Sequence, residues 1–181
     1  FQIEGALPLW VVRDLGLGTR FFGLIFTLNT LLIVVLEIAL NLAMAFAEME
    51  RQEVVIVDAD LRRPSCERYL NLNAEAGVAD VLLGRVPVER VLRPAGYRNL
   101  MLLGAGTRVS NPAEVLGSSR LDDLLNHLKE RFQYIVIDSP PVLAATDAGV
   151  LAGRADGTLV TVRLERSLKN QTREAVRVLQ D

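Results

Sequence analysis

The chain has 181 residues, formal net charge −2 and one cysteine. Half of the residues are apolar, and the mean hydropathy is +0.27. That is enough chain for one domain with a sizeable core. It excludes a disulfide scaffold, and the totals give no sign of non-specific nucleic-acid binding.

In chain order, strands and helices alternate. Phe21 to Thr27 (FFGLIFT) is a short apolar run rich in strand formers. Glu37 to Arg51 (EIALNLAMAFAEMER) has high helix propensity and reads as a buried helix. Glu53 to Asp58 is a buried strand. Residues 77–84 and 87–92 read as short helices, and Leu100 to Leu103 as a strand that runs into the Gly-rich turn GAGT. Asn111-Pro112-Ala113-Glu114 has the form of a helix start, with a capping Asn, Pro in the first turn and Glu as its capping-box partner. Leu121 to Arg131 carries apolar residues at helical spacing. Tyr134 to Asp138 is a strand broken by Ser139-Pro140-Pro141. Ala144 to Gly153 reads as helix, Thr158 to Arg163 as strand and Leu168 to Leu179 as helix. Apolar strands that do not alternate, separated by helices, imply an α/β fold with a mostly parallel sheet covered on both faces. There is no internal repeat and no obvious linker. Residues 1–20 read as an atypical N-terminal segment and residues 21–181 as one domain. The last residues fall inside a helical pattern, so the expectation is a domain truncated at its C-terminus.

In such sheets ligands bind at the carboxyl ends of strands. Two buried strands end there in acid: VVIVDADLRRPS, residues 54–65, and YIVIDSPP, residues 134–141. A carboxylate at the tip of a buried strand needs a basic partner or a cation. Asp58 and Asp138 would converge on one Mg²⁺ if their strands are neighbours. Asp60, two residues past Asp58, is placed to take a proton from a hydroxyl. Arg62 and Arg63 are candidates for phosphate or for acidic partners. For one DxD alone, a capped turn with solvated arginines explains the residues as well. The second acid-ended strand favours a nucleotide-type site.

VVIVDADLRRPS resembles the modified second Walker motif of bacterial tyrosine autokinases, and YIVIDSPP resembles their Walker B motif. GVADVLLGRVPVERVLRP, NPAEVLGSSRLDDLL and DSPPVLAATDAGVLAGRADGTLVTVR follow the same family's pattern. The resemblance runs from about Ile38 to about Arg163. It implies a P-loop NTPase-like fold and an ATP-dependent protein-tyrosine kinase that regulates capsular and exopolysaccharide biosynthesis. In that family Asp58 would orient Mg²⁺ and help deprotonate tyrosine, Asp60 would be the second acid of the motif, and Asp138 would act on Mg²⁺ through water. ATP and Mg²⁺ are the implied cofactors. The implied partners are sibling kinase subunits and a membrane-spanning polysaccharide co-polymerase that acts as activator. The implied location is the inner face of the plasma membrane.

Two departures stand out. The family places a PGEGK[ST][ST]-type phosphate loop just before the helix at Glu37. The register of ALNLAMAFAE puts its lysine at Val35, the preceding glycine at Val34 and the hydroxyl residue at Leu36. LNTLLIVVLE stands there instead, without Gly or Lys. Small residues let backbone N–H groups curl around phosphates, and lysine adds a point charge; aliphatic side chains resist that curl. The only lysines, Lys129 and Lys169, fall in helices elsewhere. Weak or no ATP binding is the expectation. The family's E-x-x-R-x-x-R pattern is also missing, since Glu4 is followed at those spacings by Leu7 and Trp10. The loss is confined to residues 1–37, which fits either degeneration or a shifted reading frame. Phe21 to Leu36 is uncharged but shorter than a membrane span, and Glu37 interrupts any longer one. Three functions therefore remain open: the kinase, a binding module that has lost nucleotide, and a partitioning-type ATPase of the same superfamily.

Overall fold

The computed structural model of the chain describes residues 38–48, 52–73, 75–161 and 169–180. The strand expected at Phe21 to Thr27 and the departing segment LNTLLIVVLE lie outside them. Ile38–Asp181 forms one compact unit.

Helix α1 covers residues 38–48. Strand β1 is Val54–Asp58, and every residue of it is buried. Short helices α2 (Cys66–Tyr69) and α3 (Val78–Leu82) follow. A 3₁₀ turn at Val88–Arg90 leads into β2, Leu92–Pro94, and β3 is Leu100–Leu103. Then come α4 (Pro112–Gly117), α5 (Ser119–Lys129), β4 (Tyr134–Asp138), α6 (Asp147–Ala152) and α7 (Lys169–Gln180).

The sheet has the order β2-β3-β1-β4. β1 is parallel to both β3 and β4, and β2 is antiparallel to β3. The non-alternating apolar runs thus became a mostly parallel sheet with β1 between two neighbours. Its faces can be told apart by the alternation of side chains along a strand. Tyr134 of β4 stacks on Phe46 of α1 with ring centroids 4.1 Å apart. Tyr134 pairs in register with Val54, Val136 with Ile56, and Asp138 with Asp58. These six residues therefore share the face that α1 covers. Val55, Val57, Ile135 and Ile137 point the other way, into the core shared with Leu121, Leu124, Leu125 and Leu128. Those four leucines form the i, i+3, i+4, i+7 stripe of α5.

Four local expectations change. Residues 87–92 give only a single 3₁₀ turn before the chain enters β2. That strand is a three-residue edge with Arg93 and Pro94 exposed, where a proline costs no ladder bond that matters. The helix read from Ala144 begins at Asp147, after a turn at residues 142–144. Residues 158–161 are not in a strand. Strand propensity there has no partner strand among the described residues, and β-structure depends on partners more than on intrinsic preference. Asn111 precedes α4 as expected, but its side chain caps no backbone; its Nδ2 donates to Glu114 Oε2 at 3.1 Å.

Candidate functional site: an acid pair with a buried thiol

The carboxyl ends of β1 and β4 lie side by side, because Asp58 and Asp138 are register partners. The pairing continues one step further: Ala59 N–H donates to Asp138 O at 2.9 Å. Two acids from segments 80 residues apart in the chain are thereby fixed on one face at one end of the sheet.

The loop after β1 folds back onto its own first acid. Asp58 Oδ2 accepts from Ser65 N–H at 3.1 Å and Cys66 N–H at 3.0 Å, so this carboxylate caps the start of α2. Asp58 Oδ1 accepts from Asp60 N–H at 3.2 Å. Asp60 in turn accepts from Arg62 and Arg63 N–H through Oδ1, at 3.1 and 2.9 Å. This chain of side-chain-to-backbone turns is why the sequence leaves the strand so sharply after Asp58.

The return of the loop brings Cys66 between the acids. Its thiol lies 3.7 Å from Asp138 Oδ2. The ligand atoms of Asp58, Cys66 and Asp138 all lie within 4.8 Å of one another, and all three residues are buried. Burial pushes the Asp58 carboxyl up, against the opposing pull of the Cys66 and Ser65 N–H groups. Burial, then the negative charges of Asp58 and Asp60, pushes Asp138 up to about 7. Burial and the two neighbouring carboxylates push the Cys66 thiol up as well. The acids crowd one another, and no cationic side chain among the described residues pairs with either.

The arginines sit differently from one another. Arg62 is bidentate to Asp147 at the start of α6, with Nε to Oδ2 at 2.7 Å and Nη2 to Oδ1 at 3.1 Å. Asp147 is fully buried while Arg62 is half exposed. The pair ties the loop after β1 to the segment that follows β4. Arg62→Ala leaves the buried Asp147 carboxylate without its cation, which is costly even where the pair itself is worth little. We expect a clearly lower thermal midpoint for Arg62→Ala, with partial recovery when Asp147→Asn is added. Equal midpoints for Arg62→Ala and the wild type would show that Asp147 is otherwise satisfied. Arg63 is exposed. Lys129 lies on α5, with Nζ 3.9 Å from Asp156 Oδ1, and takes no part in the acid cluster.

A second network walls the site on the β3 side. Val78 N–H and Ala79 N–H donate to Gly104 O and Ala105 O, at 2.7 and 3.0 Å, so α3 hangs from the loop after β3. Gly106 has φ +81°, the left-handed backbone that glycine adopts freely. A Cβ on Gly104 would strike the Glu67 carboxylate, whose Oε1 is buried without a hydrogen-bond partner. Burial and the charge of Asp58 push Glu67 up.

Of the residues singled out from sequence, the structure brings Asp58 and Asp138 together and sets Asp60 and Arg62 in the adjoining loop. Sequence reasoning missed Cys66 and Asp147 as parts of this region. The only signal for Cys66 was its place where a helix starts, eight residues after an acid that would need backbone N–H donors.

Two buried carboxylates with no cationic partner fit a divalent cation. Their oxygens suit Mg²⁺, while the thiol beside them does not.

Comparison with known proteins identifies the family. A family profile described as "AAA domain" matches residues 37–174. The tyrosine-protein kinase ptk of Acinetobacter johnsonii is 36% identical over 76% of this chain, which corresponds to 18% of that relative. The tyrosine-protein kinase YwqD of Bacillus subtilis is 31% identical over 78% of this chain and 59% of its own length. The chain thus spans less than a fifth of the first relative and about three fifths of the second. The crystal structure of the VpsO kinase domain superposes with a TM-score of 0.74 at 34% identity, covering 78% of this chain and 70% of that one. The fold, the acid pair and these matches lead to one assignment: the chain belongs to the AAA-domain family, in its branch of bacterial tyrosine-kinase domains.

Proposed function

We propose that this chain is the metal- and nucleotide-binding domain of a protein-tyrosine kinase in capsular or exopolysaccharide biosynthesis, with a weakened hold on ATP. The observation that carries the reading is the register pairing of Asp58 with Asp138 at the carboxyl ends of adjacent parallel strands. Kinase-named relatives support the reaction class.

In this reading Asp58 and Asp138 hold Mg²⁺, and the backbone N–H groups of Asp60, Ser65 and Cys66 keep Asp58 oriented. Asp60 is the acceptor for a tyrosine hydroxyl proton. Among the described residues its hydrogen bonds reach only Oδ1, which leaves Oδ2 for that task. Arg63, exposed beside it, is the freer of the two arginines for a phosphate, since Asp147 already holds the Arg62 fork. Bound Mg·ATP would supply the phosphoryl group and the positive charge that the buried acids lack. The weakness lies in LNTLLIVVLE, residues 28–37, where no glycine or lysine stands to receive the phosphates. The partners in this reading are sibling kinase subunits and a membrane-spanning polysaccharide co-polymerase, at the inner face of the plasma membrane. No described helix is long and apolar enough to cross a membrane.

Calorimetric titration with Mg·ATP, beside phosphotyrosine detection on an added tyrosine peptide, tests this. Weak Mg²⁺-dependent binding that vanishes in Asp138→Asn, with detectable phosphotyrosine, is expected. Hydrolysis without phosphotyrosine would point to a partitioning-type ATPase. Absence of any Mg²⁺-dependent nucleotide binding would leave the binding module.

A further inference from the structure

The thiol of Cys66 is the one group of the buried cluster that the kinase reading does not use; its backbone N–H already serves Asp58. Mg²⁺ keeps oxygen ligands and water and gains nothing from a thiol. Cys66 nonetheless has its sulfur 3.7 Å from Asp138 Oδ2 and within 4.8 Å of an Asp58 oxygen. A small buried thiol often serves only as packing. Packing against aliphatic side chains would suit it better than a place between two carboxylates.

Asp138 supplies the independent observation. It is 8% exposed; the thiol, a weak donor, is its only side-chain partner among the described residues, and the Ser139 backbone N–H is its other donor. A carboxylate buried to this degree, with no cation and no strong side-chain donor, is aimed at the cluster and needs a positive charge there. Asp58 differs, because three backbone N–H groups already serve it. Asp58 is 0% and Cys66 3% exposed, so Asp138 is the least buried of the three.

Two carboxylate oxygens and one sulfur within 4.8 Å of one another make a three-ligand set. Zinc sites that keep an open position have three protein ligands and a fourth place for water or substrate. Sulfur ligands select borderline-soft ions over Mg²⁺. We propose that Asp58, Cys66 and Asp138 form a site for a thiophilic divalent cation of the Zn²⁺ type, which displaces Mg²⁺ and blocks the nucleotide site. On binding, the Cys66 thiol gives its proton to solvent and the sulfur takes up the metal; no redox change is involved. The proposal rests on the reading of Asp58 and Asp138 as metal ligands, and adds a soft-metal brake to it.

The test uses the full chain with Co²⁺ as a spectroscopic probe and Zn²⁺ as competitor. Co²⁺ should produce a sulfur-to-cobalt charge-transfer band in the near ultraviolet, and Zn²⁺ should bleach it. Cys66→Ser should remove the band and weaken Zn²⁺ binding by at least about 100-fold, the upper end of what losing an outer-shell partner costs a metal site. Wild-type protein that binds Co²⁺ without the band, or not at all, overturns the proposal whatever the variants do. So does Cys66→Ser with unchanged Zn²⁺ affinity. If Mg·ATP binds in an Asp138-dependent way and the band is missing, the soft-metal site falls and the kinase reading stands. If the band appears and depends on Cys66 while Mg·ATP never binds, the soft-metal site stands and the kinase reading falls.

Discussion

Replacing Asp138 by asparagine is expected to stabilise the metal-free protein at neutral pH and to abolish its stabilisation by Mg²⁺. Most substitutions of a buried residue destabilise, so the sign is diagnostic. Asp138 stands beside Asp58 with burial and two negative neighbours raising its carboxyl from the ordinary 3.8 to about 7. The native state therefore holds this proton more tightly than the unfolded chain does. Stability is fully present below pH 3.8 and is lost as pH rises towards about 7, above which the loss is complete. At about 1.4 kcal/mol for each tenfold change in proton affinity, the ceiling on this loss is roughly 4 kcal/mol. An uncharged asparagine in the same place escapes the loss. Melting curves across this pH range should show the wild type falling with pH and Asp138→Asn nearly flat.

Mg²⁺ acts on the same carboxylates with opposite sign. At about 100 times its dissociation constant, a ligand that binds only the native state adds about 2.7 kcal/mol. The wild type should recover stability on addition of Mg²⁺ at neutral pH, and Asp138→Asn should not. A variant that is less stable than wild type above neutral pH, or that keeps its Mg²⁺ response, would remove Asp138 from the metal site. The acid pair is then a case of local instability held for function, the trade-off expected where like charges meet in a dry place.

The visibility of this site in the sequence follows from how each part is built. Asp58 and Asp138 were legible because each ends an apolar run, and parallel sheets put ligand sites at such ends. Their adjacency was only a conditional expectation; strand order comes from crossovers, which local pattern does not encode. Asp147 was illegible for a similar reason. Its partner Arg62 is 85 positions away, and nothing near Asp147 marks it as fully buried. Cys66 was hidden by turn geometry, since it reaches the acids only after residues 59–65 fold back on Asp58. β2 was missed because a three-residue edge strand containing Pro94 carries almost no period. The helices whose apolar spacing spans two turns or more, such as α5, were read correctly. The pattern records burial over long stretches and says little about which loop closes on which acid.

The largest destabilisation from a single polar residue is expected at Asp80, and its sign with pH is the reverse of that at Asp138. Asp80 lies in α3, 3% exposed. Its Oδ2 accepts from Gly77 N–H at 3.1 Å and Thr107 N–H at 2.9 Å. Its Oδ1 accepts from the Thr107 hydroxyl at 2.7 Å and from Arg85 Nη1 at 3.2 Å. One carboxylate thus clamps the start of α3 to the loop after β3. Burial alone would raise its carboxyl, but the Thr107, Gly77 and Arg85 donors outweigh burial and hold it below the usual range. Asp80→Ala strands the buried Gly77 N–H and frees Thr107 and Arg85. A buried donor left without a partner costs about 1–3 kcal/mol, and the lost charge-assisted bonds add to that. A fall of about 3–5 kcal/mol is therefore expected in urea unfolding at neutral pH. Because the folded carboxyl is depressed, its contribution is present above the ordinary carboxylate value and disappears as pH falls through the lower folded value. The gap between Asp80→Ala and wild type should therefore close in acid, where the Asp138 contribution is at its fullest. Asp80→Asn keeps one acceptor oxygen and should fall between the two. Hydrogen exchange at Gly77 and Thr107 separates a clamp from mere packing. If both amides keep their protection in Asp80→Ala, the loop after β3 is held by the α3 backbone bonds alone. If protection is lost there and retained in β1, the carboxylate is what fixes the wall beside Glu67 and Asp58.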